Sequence, residues 1–246
     1  MFRKFSERIK KFWASAAVLS IEMLIILCLF ILSFILFIFL ITKVIILDRT
    51  ELDHRVFDWV HSLVNDRNNE LVQTITFFGS HEFLIPANLA LIAYFLFIRK
   101  NKWYSIKIPA IALSSLALMF GLKRLFNRQR PDIPLLKEAA GLSFPSGHAL
   151  FSITFYGLLI YMAYTTIKNN ALKWSIISFL ILFIGAIGFS RIYLRVHYTT
   201  DVIAGFCVGF IWLVIGITVL NRIERYSKKE FDKIVDDPNT PITTAD

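Results

Sequence analysis

Six stretches of the chain lack charged residues and consist mainly of Leu, Ile, Phe, Val and Ala. They cover residues 23–42, 83–98, 108–122, 149–167, 174–190 and 202–221. A helix needs roughly 20 mainly apolar residues to cross a bilayer, within a range of about 17–25, and four of the stretches reach that range. The second stretch extends upstream through residues 71–81, interrupted only by Glu82, and Trp103 and Tyr104 extend the third as interfacial anchors.

These stretches predict the fold class. A helix of a soluble protein keeps a polar face toward water, and six apolar helices in 246 residues leave no such face. We therefore expect an all-α polytopic membrane protein with six transmembrane helices in one bundle. The pattern divides the chain into an amphipathic N-terminal segment (residues 1–15), a membrane domain (residues 16–222) and a partly disordered tail (residues 223–246).

Apolar residues at helical spacing outside these stretches predict two surface helices. The first set is Phe2, Phe5, Ile9 and Phe12. Basic residues lie between its members, which is typical of a helix on a membrane surface. The second set is Leu52, Val56, Trp59, Val60 and Leu63. We expect His54 and His61 on the solvated face of this second helix.

The basic residues predict the orientation in the membrane. Hydrophobic residues make up 56% of the chain and charged residues 18%, which excludes a disordered protein. Sixteen of the 27 Lys and Arg fall in the termini and loops that six spans place on one side, so that side is predicted to be cytoplasmic. Seven of the other eleven crowd into residues 123–137 and 191–195 on the extracytoplasmic side. A bound anion would explain this crowding.

Three polar segments are predicted to meet at the extracytoplasmic end of the bundle, because successive helices reverse direction. The third helix ends near Lys123 and Arg130, residues 145–148 open the fourth, and residues 190–201 join the fifth and sixth. Arginine binds phosphate oxygens through paired hydrogen bonds, and lysine binds them as a point charge. Contact with lipid headgroups is the alternative for these basic residues.

The same segments carry two histidines and a carboxylate. His197 and Asp201 are four residues apart and share a face if the sixth helix begins near Tyr198. An aspartate bonded to one imidazole nitrogen leaves the other nitrogen as a nucleophile, although Asp201 would also serve as a simple helix cap. Ser146 is a preferred N-cap, and the free N–H groups that follow such a cap bind anions. With His148 as a proton donor, this set suits phosphoryl transfer.

The spacing K-x6-R-P, P-S-G-H and S-R-x5-H-x3-D resembles the tripartite signature of the type 2 phosphatidic acid phosphatase superfamily. The matching positions are Lys123, Arg130, Pro131, Pro145, Ser146, Gly147, His148, Ser190, Arg191, His197 and Asp201. None of them departs from the signature, and the likeness extends over about residues 70–221. The resemblance implies that His197 is the nucleophile of a phosphohistidine mechanism, that Asp201 orients it, and that His148 is the general acid.

The resemblance also implies how the phosphate is bound. The implied ligands are Lys123, Arg130, Ser146, Gly147 and Arg191, with the backbone N–H groups of residues 146–148. It implies hydrolysis without a metal ion, and we expect neither a cofactor nor a nucleic acid partner. Arg124, Arg128 and Arg195 would either meet a second phosphate or contact lipid at the surface.

The membrane-embedded bacterial members of the superfamily are the most similar in organisation. The expected partners are therefore the bilayer and a lipid phosphate: phosphatidylglycerophosphate, phosphatidic acid or undecaprenyl pyrophosphate. An enzyme dedicated to undecaprenyl pyrophosphate is one alternative. A lipid or anion transporter, or an inactive lipid-phosphate-binding protein, is another. The sequence leaves the preferred lipid and the oligomeric state open.

Overall fold

The structure, a computed structural model, describes residues 21–132, 134–136 and 140–236, and every regular element among them is a helix. The eight α-helices are α1 (Ile21–Leu40), α2 (Glu51–His61), α3 (Asp66–Phe77), α4 (His81–Ala93), α5 (Lys102–Phe126), α6 (Gly147–Thr166), α7 (Asn170–Tyr193) and α8 (Thr199–Asp236). Wider π-helical turns continue α1 over Ile41–Ile46 and α4 over Tyr94–Ile98. The predicted N-terminal segment (residues 1–15) and the end of the tail (residues 237–246) lie outside the described residues.

Six segments are long and apolar enough to cross a membrane. They are Ile21–Ile46, Asp66–Ile98, Lys102–Phe126, Gly147–Thr166, Asn170–Tyr193 and Thr199–Glu230. Each coincides with one of the six uncharged stretches, so the predicted number and order of transmembrane helices are confirmed. The sixth helix is longer than its uncharged stretch, because α8 continues beyond residue 221 to Asp236.

The second span is broken between two helices, although the sequence analysis expected Glu82 alone to interrupt it. Helix α3 ends at Phe77, and Ser80 starts α4 by accepting a hydrogen bond from the N–H of Phe83 at 3.4 Å. Gly79 lies in the turn between them. A Cβ at Gly79 would lie 2.4 Å from Cγ2 of Ile187, so the turn needs glycine to approach α7 this closely.

The centre of the bundle is α6, which packs along both α7 and α8. Two glycines one turn apart on α8 allow the closest approach. A Cβ at Gly205 would lie 2.6 Å from the carbonyl oxygen of Ser146, and one at Gly209 would lie 2.8 Å from that of Leu150. Small residues at this spacing let helix backbones approach in membrane proteins, and here they place the start of α6 against the start of α8.

The other spans surround this centre. On α5, Ile108 and Ile111 pack against Leu158 of α6 and Leu213 of α8. Helix α1 lies along α8, where Leu40 packs near Ala204. Most other apolar side chains of α1 are exposed, as expected for a helix that faces lipid.

Helix α2 lies across the end of the bundle at which α7 ends and α8 begins. Val60 is fully buried in one cluster with Tyr193 and Val202. The predicted helix is present, and His54 and His61 are exposed, as predicted, but Leu52 and Trp59 of its predicted apolar set are exposed as well. Asp53 is also fully buried, which the sequence analysis did not anticipate.

Candidate active site

The three polar segments meet at one end of the bundle, as their topology predicted. The N–H of Ser146 donates to the carbonyl of Asp201 at 3.0 Å, which joins the second segment to the third. The N–H of Ser143 donates to the carbonyl of Arg128 at 2.8 Å, which joins the second segment to the first. Backbone hydrogen bonds therefore connect the three segments directly, although Ser146 and Asp201 are far apart in the chain.

An aromatic cluster anchors the loop that leads into α6. Helix α5 ends at Phe126, and the left-handed conformation of the next residue, Asn127 (φ 47°), turns the chain away from the helix. Phe144 is fully buried, stacks on Phe37 of α1 with ring centroids 6.2 Å apart, and meets the ring of Phe126 edge-on at 5.2 Å. This packing fixes the residues just before the helix start that carries His148.

The hydrogen bonds of His197 define its tautomer. Arg130 Nη1 lies 3.2 Å from Nε2, and a guanidinium can only donate, so Nε2 carries the lone pair. The proton is therefore on Nδ1, which lies 3.5 Å from Oδ2 of Asp201 and 3.3 Å from Oγ of Ser143. Ser143 donates its own hydroxyl proton to Asp201 Oδ2 and is free to accept from Nδ1.

Burial keeps His197 in its neutral form. Its side chain is almost completely buried, and this burial lowers the pKa of His197 to about 4. The hydrogen bond and the negative charge of Asp201 oppose that effect, and the positive charges of Arg130 and Arg191 add to it. At neutral pH the imidazole therefore presents an unprotonated Nε2.

Asp201 both caps α8 and orients His197, so the two sequence-based interpretations are not exclusive. The helix begins at Thr199, and its Asp201 accepts a hydrogen bond from the N–H of Tyr198 at 2.9 Å through Oδ2. His197 lies before the helix, in the tight loop after α7, rather than on a shared helical face. The predicted start of α8 near Tyr198 is confirmed to within one residue, and the imidazole reaches Asp201 from the loop.

Two cations of the signature, Lys123 and Arg130, are held by backbone carbonyls of the site. Lys123 Nζ donates to the carbonyl of Leu142. Arg130 donates from Nε to the carbonyl of Gly141 at 2.9 Å and from Nη1 to that of Val196 at 2.6 Å. These bonds leave Nη2 of Arg130 without a partner among the described residues. Burial lowers the pKa of Arg130, and the charge of Asp201 opposes this.

Two buried polar atoms at this site have no partner among the described residues. Arg191 donates from Nη1 to Oγ1 of Thr76 at 2.7 Å, but its Nε is buried and unpaired. The hydroxyl of Ser146 is likewise buried and unpaired. Leaving a buried donor unsatisfied costs about 1–3 kcal/mol, and an anionic ligand would satisfy both groups.

His148 lies in the first turn of α6, directly after Gly147. It packs against the turn between α3 and α4, where a Cβ at Gly79 would lie 3.2 Å from Cδ2 of His148. The N–H groups in the first turn of a helix have no acceptor within that helix, so the start of α6 stays the predicted anion site. One correction applies: the N–H of Ser146, expected to bind phosphate, donates to Asp201 instead.

One of the three additional arginines, Arg128, differs from both sequence-based expectations. Arg128 donates from Nη1 to Oδ1 of Asp201 at 2.6 Å and from Nη2 to Oδ2 of Asp53 at 3.0 Å. It is therefore neither a surface lipid contact nor open to a second phosphate. Arg124 is exposed, and Arg195 is half-buried in the left-handed conformation (φ 53°) with its Nε buried and unpaired.

Three partners of the site were missed by the sequence analysis: Ser143, Asp53 and Thr76. For Asp53 a signal was available, because it lies three residues before Val56 and seven before Val60, on the apolar face of the predicted helix. Ser143 and Thr76 are ordinary polar residues in the sequence. Only the folded chain brings them to His197 and Arg191.

Curated relatives are similar to this chain over about three fifths to two thirds of its length. It is 28% identical over 165 residues to phosphatidylglycerophosphatase B of Bacillus subtilis, covering 65% of this chain and 79% of that protein. It is 33% identical over 158 residues to decaprenylphosphoryl-5-phosphoribose phosphatase of Mycobacterium tuberculosis, covering 61% and 80%. Undecaprenyl-diphosphatase BcrC of Bacillus subtilis is 24% identical over 169 residues, covering 65% and 80%.

Solved structures show the same fold. The crystal structure described as the first transmembrane PAP2 type phosphatidylglycerolphosphate phosphatase, from Bacillus subtilis, superposes with a TM-score of 0.69 and 25% identity, covering 82% of this chain and 98% of that one. Aquifex aeolicus LpxE superposes with a TM-score of 0.53 and 28% identity, covering 67% and 93%. The sequence profile of the PAP2 superfamily matches residues 103–225, half of the chain. The chain thus belongs to the PAP2 superfamily, as a multi-pass membrane protein of the phosphoric ester hydrolase class.

Proposed function

We propose that this chain hydrolyses the phosphate ester or diphosphate of a membrane lipid through a phosphohistidine on Nε2 of His197. The observation that supports this most directly is the tautomer of His197. Its proton lies on Nδ1 toward Asp201, and its lone pair lies on Nε2 beside Arg130. The nucleophilic nitrogen is therefore unprotonated and faces the cations that would bind the phosphate.

The reaction takes two steps. In the first, Nε2 of His197 attacks phosphorus, the N–P bond forms as the P–O bond to the lipid breaks, and His148 gives its proton to the departing oxygen. Asp201 stabilises the imidazolium that results. In the second step, water attacks phosphorus, His148 takes a proton from the water, the N–P bond breaks and inorganic phosphate leaves.

The cations supply the stabilisation that such a transition state needs. Lys123, Arg130 and Arg191 are held by bonds to the protein, so they are oriented before the substrate binds. Among the described residues, no group of three or more His, Cys, Asp and Glu side chains is arranged to hold a metal ion. We therefore propose that Lys and Arg, rather than a metal, stabilise the charge of the phosphoryl group.

The proposed substrates follow from the relatives and from the membrane setting. The relatives' names include a phosphatidylglycerophosphatase, a phosphatase of a polyprenyl-linked phosphoribose and an undecaprenyl-diphosphatase. These substrates share an apolar tail and a terminal phosphate. We further propose that the site faces the extracytoplasmic side and that both termini are cytoplasmic, because the basic residues predominate in the termini and in the loops on their side.

The test is inorganic phosphate release by the detergent-solubilised protein, with a metal chelator present throughout. The substrates are phosphatidylglycerophosphate, phosphatidic acid, undecaprenyl diphosphate and decaprenylphosphoryl-5-phosphoribose. His197→Ala is the test variant. His61→Ala is its matched control, because that histidine is exposed on α2.

We expect release from at least one lipid, full activity in the control and loss of turnover in His197→Ala. A phosphate label should remain on the wild-type protein after an acid-free quench, and not on the variant. Substantial turnover by a folded His197→Ala protein would contradict the nucleophile assignment. Absence of release from every lipid by the folded wild type would favour a binding or transport role.

A further inference from the structure

Asp201 is held by a cation that the superfamily signature leaves unspecified. Arg128 occupies a variable position between Lys123 and Arg130. Its Nη1 donates to Oδ1 of Asp201 at 2.6 Å and to Oγ1 of Thr200 at 2.8 Å. Its guanidinium carbon lies 4.0 Å from the centre of the Tyr198 ring, within the range of a cation–π contact.

A second carboxylate holds Arg128 from the other side. Asp53, fully buried on α2, accepts from Nη2 of Arg128 at 3.0 Å through Oδ2. The same carboxylate accepts from the N–H of Thr200 at 2.9 Å and from its hydroxyl at 2.8 Å. Asp53 therefore ties helix α2 both to Arg128 and to the first turn of α8, next to Asp201.

The two oxygens of Asp201 have different partners. Oδ1 accepts from Arg128, whereas Oδ2 faces the imidazole, the hydroxyl of Ser143 and the N–H of Tyr198. Because Arg128 holds Oδ1, the carboxylate plane is set so that Oδ2 points to Nδ1 of His197. The contact that fixes the nucleophile's tautomer therefore depends on a charge outside the signature.

We propose that Arg128 is a positioning residue, which holds Asp201 in the orientation that activates His197, and that Asp53 on α2 positions Arg128. This inference rests on the proposed function, since it concerns the nucleophile of that reaction. Arg128 contacts Asp201 rather than Nε2 of His197, so it acts on the chemical step and not on phosphate binding.

The local charge supports this role over a second phosphate site. One arginine lies between two buried carboxylates, and the side chain of Arg128 is only 10% exposed. The net charge of Asp53, Arg128 and Asp201 is negative, which disfavours an incoming phosphate. The guanidinium of Arg128 also donates hydrogen bonds to protein groups from both Nη1 and Nη2.

The experiment compares Arg128→Gln, Asp53→Asn and the double variant with the wild type, in detergent, on the lipid that the wild type cleaves fastest. Arg55→Gln and Asp58→Asn are matched controls, because both residues are exposed on α2. The measurements are kcat, KM, the inhibition constant for inorganic phosphate and the melting temperature.

We expect Arg128→Gln to lower kcat about 10- to 100-fold, the range typical of residues that orient a reactive group through another side chain. KM and the inhibition constant for phosphate should stay within about twofold. Asp53→Asn should lower kcat less. The double variant should match Arg128→Gln in kcat, because Asp53 acts through Arg128, while its melting temperature recovers toward that of the wild type.

Two results would overturn the inference. One is a kcat of Arg128→Gln within about twofold of the wild type. The other is a rise in KM and in the phosphate inhibition constant that matches the loss in kcat, which would make Arg128 a phosphate ligand. If Arg128→Gln does not fold, Asp53→Asn and the double variant apply the same criterion: kcat lowered at unchanged KM supports the inference, and unchanged kcat overturns it.

Failure of the proposed function gives a different pattern. In that case the wild type and the α2 controls release no phosphate, or His197→Ala releases it as fast as the wild type. If only the inference fails, His197→Ala still loses turnover, whereas Arg128→Gln remains active.

Discussion

At the scale of single residues, His197 combines burial with directional hydrogen bonds. Burial alone would make it an ordinary neutral histidine. The donor from Arg130 at Nε2 and the acceptors at Nδ1 give its two nitrogens different roles. Such asymmetry is what a nucleophilic imidazole needs, because one nitrogen must attack while the other keeps its proton.

The lowered pKa of His197 predicts how kcat/KM falls at acid pH. Attack requires neutral imidazole, and burial lowers the pKa of His197 to about 4 from its ordinary value of 6.5. We expect kcat/KM, measured with an activated phosphate ester that needs no proton from His148, to persist below pH 6.5 and to fall toward pH 4. A limb centred at or above pH 6.5 would contradict this.

The same pKa predicts a change in stability. Between pH 6.5 and pH 4 the unfolded chain binds a proton at this histidine and the folded chain does not, so this group destabilises the fold as the pH drops through that window. The melting temperature of the wild type should therefore fall more steeply there than that of a folded His197→Gln variant. If the melting temperatures of the two proteins fell equally with pH, His197 would keep its ordinary pKa in the folded protein.

Ser143 gives a second prediction at this scale. Its hydroxyl bridges Asp201 Oδ2 and His197 Nδ1, and a hydrogen bond to a charged group contributes about 1.5–3 kcal/mol. Ser143→Ala should lower kcat about 10- to 100-fold with little change in KM. The control is Ser62→Ala, whose hydroxyl bonds only to the carbonyl of Trp59 at the exposed end of α2. A normal kcat in Ser143→Ala would show that the bridge is dispensable.

At the scale of elements, the site depends on how closely α6 and α8 approach. Gly205 lets the carbonyl of Ser146 come within the space that a side chain would fill. Ser146 in turn bonds through its N–H to Asp201. The start of the helix that carries His148 is therefore positioned by a glycine on the helix that carries Asp201.

Gly205→Ala tests this contact. The added Cβ would lie 2.6 Å from the carbonyl oxygen of Ser146, a backbone atom that must move. We expect a loss of about 1–3 kcal/mol of stability and a reduced kcat. Gly185→Ala is the control, because its added Cβ would meet no atom within 4 Å apart from its chain neighbours and the backbone of its own helix, and alanine favours the helix. Unchanged activity and melting temperature in Gly205→Ala would show that the helices can separate freely.

At the scale of the whole molecule, two polar clusters lie at opposite ends of the bundle. One is the site around Asp201. The other joins Lys107 of α5 to Asn221 and Glu224 of α8, with Nζ 2.7 Å from Oδ1 of Asn221. Asp201 and Glu224 are 23 residues apart on one helix, or about 35 Å at 1.5 Å per residue. Substitutions that far apart are expected to change the free energy of unfolding independently.

Lys107→Met should therefore lower the melting temperature and leave kcat within about twofold of the wild type. The buried ammonium holds two partners, and their loss is expected to remove about 1–3 kcal/mol of stability. Lys102→Met, at the exposed start of the same helix, is the control. A large drop in kcat would reveal coupling between the two ends.

The sequence alone determined the six spans, their order and the meeting of Lys123, His148 and His197 at one end. These follow from apolar stretches too long for soluble helices and from the reversal of successive spans, which need no knowledge of packing. The signature residues were also found from the sequence alone, because the signature consists of residue identities and spacings.

Only the tertiary structure decided the partners of those residues. The tautomer of His197, the bonds of Asp201 to Ser143 and Arg128, and the burial of Asp53 depend on contacts between segments far apart in sequence. The break after Phe77 likewise comes from the close packing of Gly79 on Ile187. The order of apolar and polar residues along the chain limits which residues can meet. The directions of the side-chain hydrogen bonds are set only when the helices pack together.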